Sequence, residues 1–480
     1  MKKLNIFLLS IIFLTAISLR LYHLTSPIAD WHSWRQADTA AVARNFLKFG
    51  FDPLHPRYDD LSNIQSGKDN PQGWRMVEFP FYQLLGAWIH VIVPRISIEV
   101  SLRLVSIAAS AGTALLLALL VSNFIDKTTG FFAGFLYAVL PYSVYYGRTI
   151  LPDGFMVFWS VLSLYLISKS LEAKGRRDWF FVIAGAVAGA LALLAKPIAA
   201  FLLLPIPYLL YRKDSLSLLL FIRLFVYSLI CLFPTWWWRS WITQFPEGIP
   251  VYTWLFNEGN IRFKGAWFHW LFARRLGELI LGYWGLIPFG MGLTVTFTKK
   301  EGWFFRIWLL GSLLYLIVLA RGNVQHDYYQ QLIIPIVVIY VAKGIAFLIE
   351  PHERISRIAG VSVAVTSIVF MFAFSWYTIR TYYWINRPEI VEAGKIADQI
   401  LPKNAKVIAS YNGDTTFLYQ INRQGWPLGF DIDKKIKMGA THYVTVSPTD
   451  NDGETKDLAS RFTVLVRNDK FAIIDLTKPK

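Results

Sequence analysis

Long apolar runs separated by short polar loops set the pattern of this chain. The first run, about Leu4 to Leu21, is followed by a polar stretch from Ser26 to Glu78. Further runs are Leu102–Phe124, Thr129–Gly147, Phe155–Ile167, Trp179–Ala195, Ile198–Tyr211, Leu218–Trp238, Leu279–Phe297, Trp303–Ala320, Gln331–Ile349 and Ile358–Tyr377. Runs of this kind predict membrane-spanning helices. One run, Phe79–Pro94, is short and interrupted, and counting charges decides its placement. If it crossed, Lys169, Lys174, Arg176 and Arg177 would lie outside, against the positive-inside rule. If it lies in the interface or re-enters, the basic loops at 169–177, Arg212–Lys213, Lys299–Lys300 and 352–357 all face the cytoplasm, together with Lys2 and Lys3. No small-residue cleavage site follows the first run, so it is expected to be retained as a span. The expectation is about eleven spans, with a cytoplasmic N-terminus in the plasma membrane.

Behind the first run comes S-P-I-A-D-W-H-S-W-R-Q-A-D-T-A-A-V-A-R-N-F-L-K-F. The S-x-x-Q pattern at Ser33 and Gln36 predicts a capped helix from Trp34, which Gly50 ends. Arg35 and Asp38 then fall three residues apart on one face near the positive helix end, where pairing with each other is the plain structural alternative to a chemical role. From Pro388 the periodicity changes. An amphipathic helix (Ile390, Val391, Ile396, Ala397, Ile400) precedes β-like runs at Lys406–Ser410, His442–Val446, Phe462–Val466 and Phe471–Asp475. The reading is a polytopic α-helical membrane module over 1–386, with juxtamembrane helices within about 26–100, and a small extracytoplasmic α/β domain over 387–480. The D-N-D-G-E stretch at Asp450–Glu454 lacks calcium-loop spacing and reads as a turn.

Composition fits a polytopic membrane protein: 480 residues, 55% hydrophobic and only 17% charged, with a mean hydropathy of +0.41. The net charge of +16 sits in short loops, so it reflects topology and lipid headgroups, and nucleic acid is not an expected partner. Cys231 is the single cysteine and forms no intrachain disulfide. The same topology puts every loop rich in unusual polar residues on the outer side: Asp30 to Glu78, Arg148 to Asp153, Lys196, Arg239 to Arg275 and Arg321 to Asp327.

D-x-H-x-W-R-Q-A-D-T-A-A-V-A-R-N-F, E-F-P-F-Y-Q-L-L-G-A-W, Y-Y-G-R-T-I-L-P-D-G-F, L-L-A-K-P-I-A-A-F-L-L-L-P and H-D-Y-Y-Q-Q-L-I-I-P occur in that order. The set resembles the GT-C superfamily of polyprenyl-phosphate-dependent glycosyltransferases, in the bacterial branch related to protein O-mannosyltransferases and the lipid A aminoarabinose transferase. The common form has an acidic pair just before the first outer helix, where Arg35 and Gln36 stand here, so Asp38 and Asp30 both stay candidates for the base. The resemblance implies transfer of a sugar from a polyprenyl-phosphate donor to a glycan, lipid or protein acceptor.

Such a reaction needs a greasy groove, cations for the departing phosphate and a carboxylate for the acceptor hydroxyl. Asp38, or else Asp30, would take the hydroxyl proton in a direct, inverting displacement. Arg148, Lys196 and Arg321, each at an outer span end, are the candidate phosphate cations, with interfacial snorkelling as the alternative. Asp153 would orient Arg148 or hold a metal, and Glu78 would orient Arg35 or the acceptor. His32, His326, Tyr328 and Tyr329 are further substrate contacts. A divalent metal is compatible with the class, but adjacent His326 and Asp327 do not make a site alone, so metal stays unassigned and no cofactor is named. The competing readings are transfer of a preassembled lipid-linked glycan, a lipid-linked sugar carrier or flippase, and a receptor. The scarcity of ionisable residues inside spans and the absence of repeat symmetry count against a carrier.

Overall fold

The structure, a computed structural model, describes residues 5–295, 302–350, 356–449 and 453–480. Lys2, Lys3, Lys299, Lys300, residues 352–355 of the basic loop and Asp450–Asp452 of the expected turn lie outside the described residues. The chain divides into two compact units. A helical unit comprises Met1–Leu24, Arg103–Ser240 and Tyr252–Thr381; an α/β unit comprises Thr25–Leu102, Trp241–Val251 and Tyr382–Lys480. The boundary that composition places at 386–387 therefore takes in only part of the second unit.

Four helices among the described residues are long and apolar enough to cross a membrane: Ile98–Phe124, Gly175–Ala195, Leu218–Trp241 and Arg357–Ile379. Ile6–Arg20, Gly302–Val318 and Ile334–Ile349 are apolar but shorter. Other apolar runs are broken where proline removes a backbone donor. Thr129–Gly147 becomes Lys127–Val139 and Pro141–Tyr146. Ile198–Tyr211 is cut around Pro205 into Ala200–Leu203 and Ile206–Asp214. Phe79–Pro94 yields the helix Phe81–Ile92 of 12 residues, about 18 Å long and too short to cross alone.

The break at Pro141 explains a residue that the hydrophobic pattern hides. Pro141 cannot donate to the carbonyl of Tyr137, and fully buried Arg20 donates there instead, at 3.1 Å. Its guanidinium also reaches the carbonyls of Ala138 (2.7 Å) and Ser143 (3.1 Å). A buried arginine thus satisfies backbone groups that a broken helix leaves open.

In the α/β unit the strands are β1 (Val407–Ser410), β2 (Gly425–Trp426), β3 (His442–Thr445), β4 (Phe462–Arg467) and β5 (Ala472–Pro479). Their order is β2-β1-β3-β5-β4, parallel at β2-β1-β3 and antiparallel at β3-β5-β4. The period of two splits the core between the faces. Val407, Ala409, Val444 and Ile473 pack with the Pro388–Ile400 helix, and Ile408, Tyr443 and Ile474 pack with Trp426 and Leu458. The early polar stretch is stitched to the open edge: Gly425 N–H donates to the Asp59 carbonyl and Leu61 N–H to that of Gly425, both at 2.8 Å.

Candidate functional site

The candidate residues divide between the units. Asp30, His32, Arg35, Asp38 and Glu78 belong to the α/β unit; Arg148, Asp153, Lys196, Arg321, His326, Tyr328 and Tyr329 belong to the helical unit.

In the α/β unit the helix is Ser33–Phe49, ended by Gly50 at φ 96°. Its start differs from the expected Ser33–Gln36 capping box. His32 is the cap residue, in the left-handed region at φ 55°, and no side chain caps the helix. Gln36 donates instead to Asp30 Oδ1 (2.7 Å) and to the Trp31 carbonyl (3.2 Å), because the chain turns back at Asp30–His32 and brings that carboxylate over the first turn. The alternative in which Arg35 and Asp38 pair with each other is not what forms, and Glu78 stands by Arg35 as one of its two expected roles had it. Arg35 donates to both oxygens of Glu78 at 2.9 Å, and both residues are buried. Both bonds come from one guanidinium nitrogen, Nη2, and this buried, charge-assisted contact is stronger than an exposed i,i+3 pair on one helix face.

Asp38 is completely buried and held by residues from three segments. Arg75 lies 3.0 Å from Oδ2, Gln65 donates to the same oxygen at 3.2 Å, and Thr415 donates to Oδ1 at 2.7 Å. Arg75 also donates to Gln65 Oε1, and backbone bonds to Gln65 and Met76 anchor the 241–251 segment beside them. Asp60, buried next to this group, uses Oδ1 to accept the Ser62 N–H (2.8 Å), while Oδ2 has no partner. Burial, together with the charge of Asp38, pushes the Asp60 carboxyl up to about 6 despite the Ser62 donors and Arg75. Burial also raises Asp414, with Asp38 adding to the effect and the Thr416 hydrogen bonds opposing it.

In the helical unit Asp153 and Lys196 form an ion pair of 2.8 Å, Asp153 being buried and Lys196 partly so. This corrects the expectation that Asp153 orients Arg148. Both follow span ends, but the turn at Pro152 starts a helix whose first residues face Lys196. Arg148 is buried, donates to the His23 carbonyl (3.3 Å) and lies over the Tyr145 ring. Lys196 also stands over the rings of Tyr328 and Tyr329, at 5.5 and 5.1 Å. The Asp327 carboxylate is engaged by Tyr146, which donates to Oδ1 at 2.5 Å, and by Arg275, which lies 3.5 Å from Oδ2. Arg321 is the more open cation, its side chain 38% exposed and 3.8 Å from Glu258. Among the described residues no group of three or more His, Cys, Asp or Glu side chains stands close enough to hold a metal ion.

Arg75, Gln65, Thr415, Asp60 and Arg275 were not singled out by the sequence. Arg75 carried a signal, standing three residues before Glu78 in the same polar stretch. Thr415, which reaches Asp38 across 377 residues, carried none.

The architecture superposes on ArnT from Cupriavidus metallidurans, solved with bound undecaprenyl phosphate, at a TM-score of 0.66 and 13% identity, covering 97% of each chain. The fold is that of the GT-C glycosyltransferases. The GT-C fold is shared with the Archaeoglobus fulgidus oligosaccharyltransferase solved with Zn and sulfate (TM-score 0.58, 13% identity, 93% of this chain and 68% of that one). It is shared too with the arabinofuranosyltransferase AftD from Mycobacteria (TM-score 0.60, 12% identity, 99% of this chain and 42% of that one). Residues 82–238 match the family described as dolichyl-phosphate-mannose-protein mannosyltransferase, which places the Arg148, Asp153 and Lys196 segments of the GT-C fold inside the matched region. No curated protein matches the chain by sequence.

Proposed function

We propose that this protein is a multi-pass membrane glycosyltransferase that moves a sugar from a polyprenyl-phosphate donor to an acceptor on the extracytoplasmic face. The observation that carries the reading is the GT-C fold running over nearly the whole chain, in a protein whose similar structures include one holding undecaprenyl phosphate. About eleven crossings, several made by proline-broken helices, put the N-terminus in the cytoplasm and the α/β unit outside the plasma membrane.

The acceptor oxygen bonds to the anomeric carbon as the bond from that carbon to the phosphate oxygen breaks, inverting the configuration. The electron pair leaves with the polyprenyl phosphate, and the hydroxyl proton passes to a carboxylate, Asp38 or Asp30. Lys196, steadied by Asp153 and flanked by Tyr328 and Tyr329, and Arg148 and Arg321 supply cationic stabilisation of the departing phosphate. Arg35, with Glu78, and His32 and His326 are substrate contacts. The acceptor is a glycan, a lipid or a protein.

The test is transfer from a radiolabelled polyprenyl-phosphate sugar by membranes containing the protein. Transfer that is lost in Asp38→Asn or Asp30→Asn supports the reading. Movement of the intact lipid-linked sugar across the bilayer, unaffected by both substitutions, makes the protein a carrier instead.

A further inference from the structure

Thr415 lies in the turn between β1 and the helix Thr416–Ile421. Two left-handed residues, Asn412 (φ 52°) and Gly413 (φ 80°), reverse the chain there. The N–H groups of Tyr411 and Gly413 both donate to the Pro427 carbonyl at 3.0 Å. On the other side Asp414 Oδ1 accepts the Thr416 N–H at 2.7 Å. The turn is therefore fixed before it meets any partner, and it aims the buried Thr415 hydroxyl at Asp38 Oδ1 at 2.7 Å, with the Trp34 carbonyl the more distant acceptor at 3.2 Å. The following residues run along the same helix in register. Tyr419 O accepts from Arg44 (2.8 Å) and Asn422 O accepts from Lys48 (3.0 Å). A purely structural docking strip would be complete with these backbone contacts. It does not require a hydroxyl on a buried carboxylate whose other oxygen is already taken by Arg75 and Gln65.

We propose that Thr415 is a positioning residue for Asp38, so that the C-terminal sheet domain completes the carboxylate site. The inference rests on the glycosyltransferase reading for its consequence, though the hydrogen bond itself does not. With Oδ2 fixed by Arg75 and Gln65, the Thr415 bond fixes the remaining oxygen and hence the plane of the carboxylate. Loss of the hydroxyl lets that oxygen rotate, which slows the reacting step without changing donor binding.

The test uses the full-length protein in liposomes with a radiolabelled polyprenyl-phosphate sugar. Thr415→Val, which keeps shape and loses the donor, is expected to lower kcat by about 10- to 100-fold, the worth of a hydrogen bond to a charged group, with the donor KM unchanged within about twofold. Thr415→Ser is expected to restore the rate. A Thr415→Val protein with wild-type kcat, or a Thr415→Ser protein as slow as Thr415→Val, overturns the proposal. If the unsubstituted protein transfers no sugar, the functional reading fails, and the bond is read by thermal unfolding instead. Thr415→Val should then lower the melting temperature by at least twice as much with Asp38 present as in the Asp38→Asn background. Equal losses in the two backgrounds overturn the inference.

Discussion

Arg75 holds Asp38 in a buried ion pair of 3.0 Å, with side-chain exposures of 6% and 0%. Neither charge sees bulk water, so each depends on the other for its solvation. Arg75→Met should destabilise the protein by about 3–5 kcal/mol, since it strands a buried carboxylate. Adding Asp38→Asn should return part of that loss. Thermal unfolding of the detergent-solubilised protein checks this, and an unshifted Arg75→Met melt would contradict it.

Asp60 is the opposite case, a carboxyl kept company by too few donors. Its folded value of about 6 lies above the ordinary 3.8, so the native state binds the proton more tightly than the unfolded chain. The contribution of Asp60 to stability is therefore fully present below about pH 4 and is lost as the pH rises through about 6. Asp60→Asn keeps the acceptor for Ser62 and removes the charge. It should gain on the order of 3 kcal/mol at pH 8 and nothing at pH 4, as read from denaturation at the two pH values. An equal gain at both would show that charge is not the cause.

Lys196 is a candidate phosphate cation with built surroundings, paired with Asp153 and facing two tyrosine rings. Lys196→Met should lower turnover by about 10²- to 10³-fold, while leaving the protein folded. Arg35→Lys, by contrast, keeps the charge and exchanges the planar guanidinium, whose Nη2 touches both Glu78 oxygens, for a compact, strongly hydrated ammonium, so its effect should appear in the melting temperature as well as in the rate. Wild-type turnover in Lys196→Met would remove it from the site.

The helices Leu286–Thr294 and Ile334–Ile349 cross at two glycines. A Cβ on Gly344 would sit 1.8 Å from the Pro288 carbonyl oxygen, and one on Gly292 1.9 Å from that of Tyr340. Both obstacles are backbone and cannot rotate away. Gly344→Ala should therefore cost about 1–3 kcal/mol through overpacking. Gly290→Ala, on the Leu286–Thr294 helix with nothing within 4 Å, should be neutral or slightly stabilising in the same melt.

Much of the helical unit was legible because lipid-facing helices must be apolar along their length, and the runs are long. The breaks at Pro141 and Pro205 were not read from the runs, since a proline such as Pro234 also sits inside an unbroken helix. Four strands of the small domain were legible for a related reason: both faces of the sheet are packed, so Val407–Ser410 and Ala472–Leu476 read as short, nearly continuous apolar runs. β2 escaped because its two residues, Gly425 and Trp426, are too short to show a period. The capping box at Ser33 was a sound local pattern overridden by a tertiary contact, Gln36 to Asp30.

What the sequence determined by itself is therefore the class of environment each segment needs: long apolar runs for lipid or core, short β-rich apolar runs for a sheet, and loops holding Asp30, Arg35, Asp38, Glu78, Asp153 and Lys196. Which charges meet was decided only in three dimensions. Arg35 took Glu78, Asp38 took Arg75 and Thr415, and Asp153 took Lys196. Spacing along a chain fixes only near neighbours, whereas a buried charge is satisfied by whatever donors the fold carries to it, however remote in sequence.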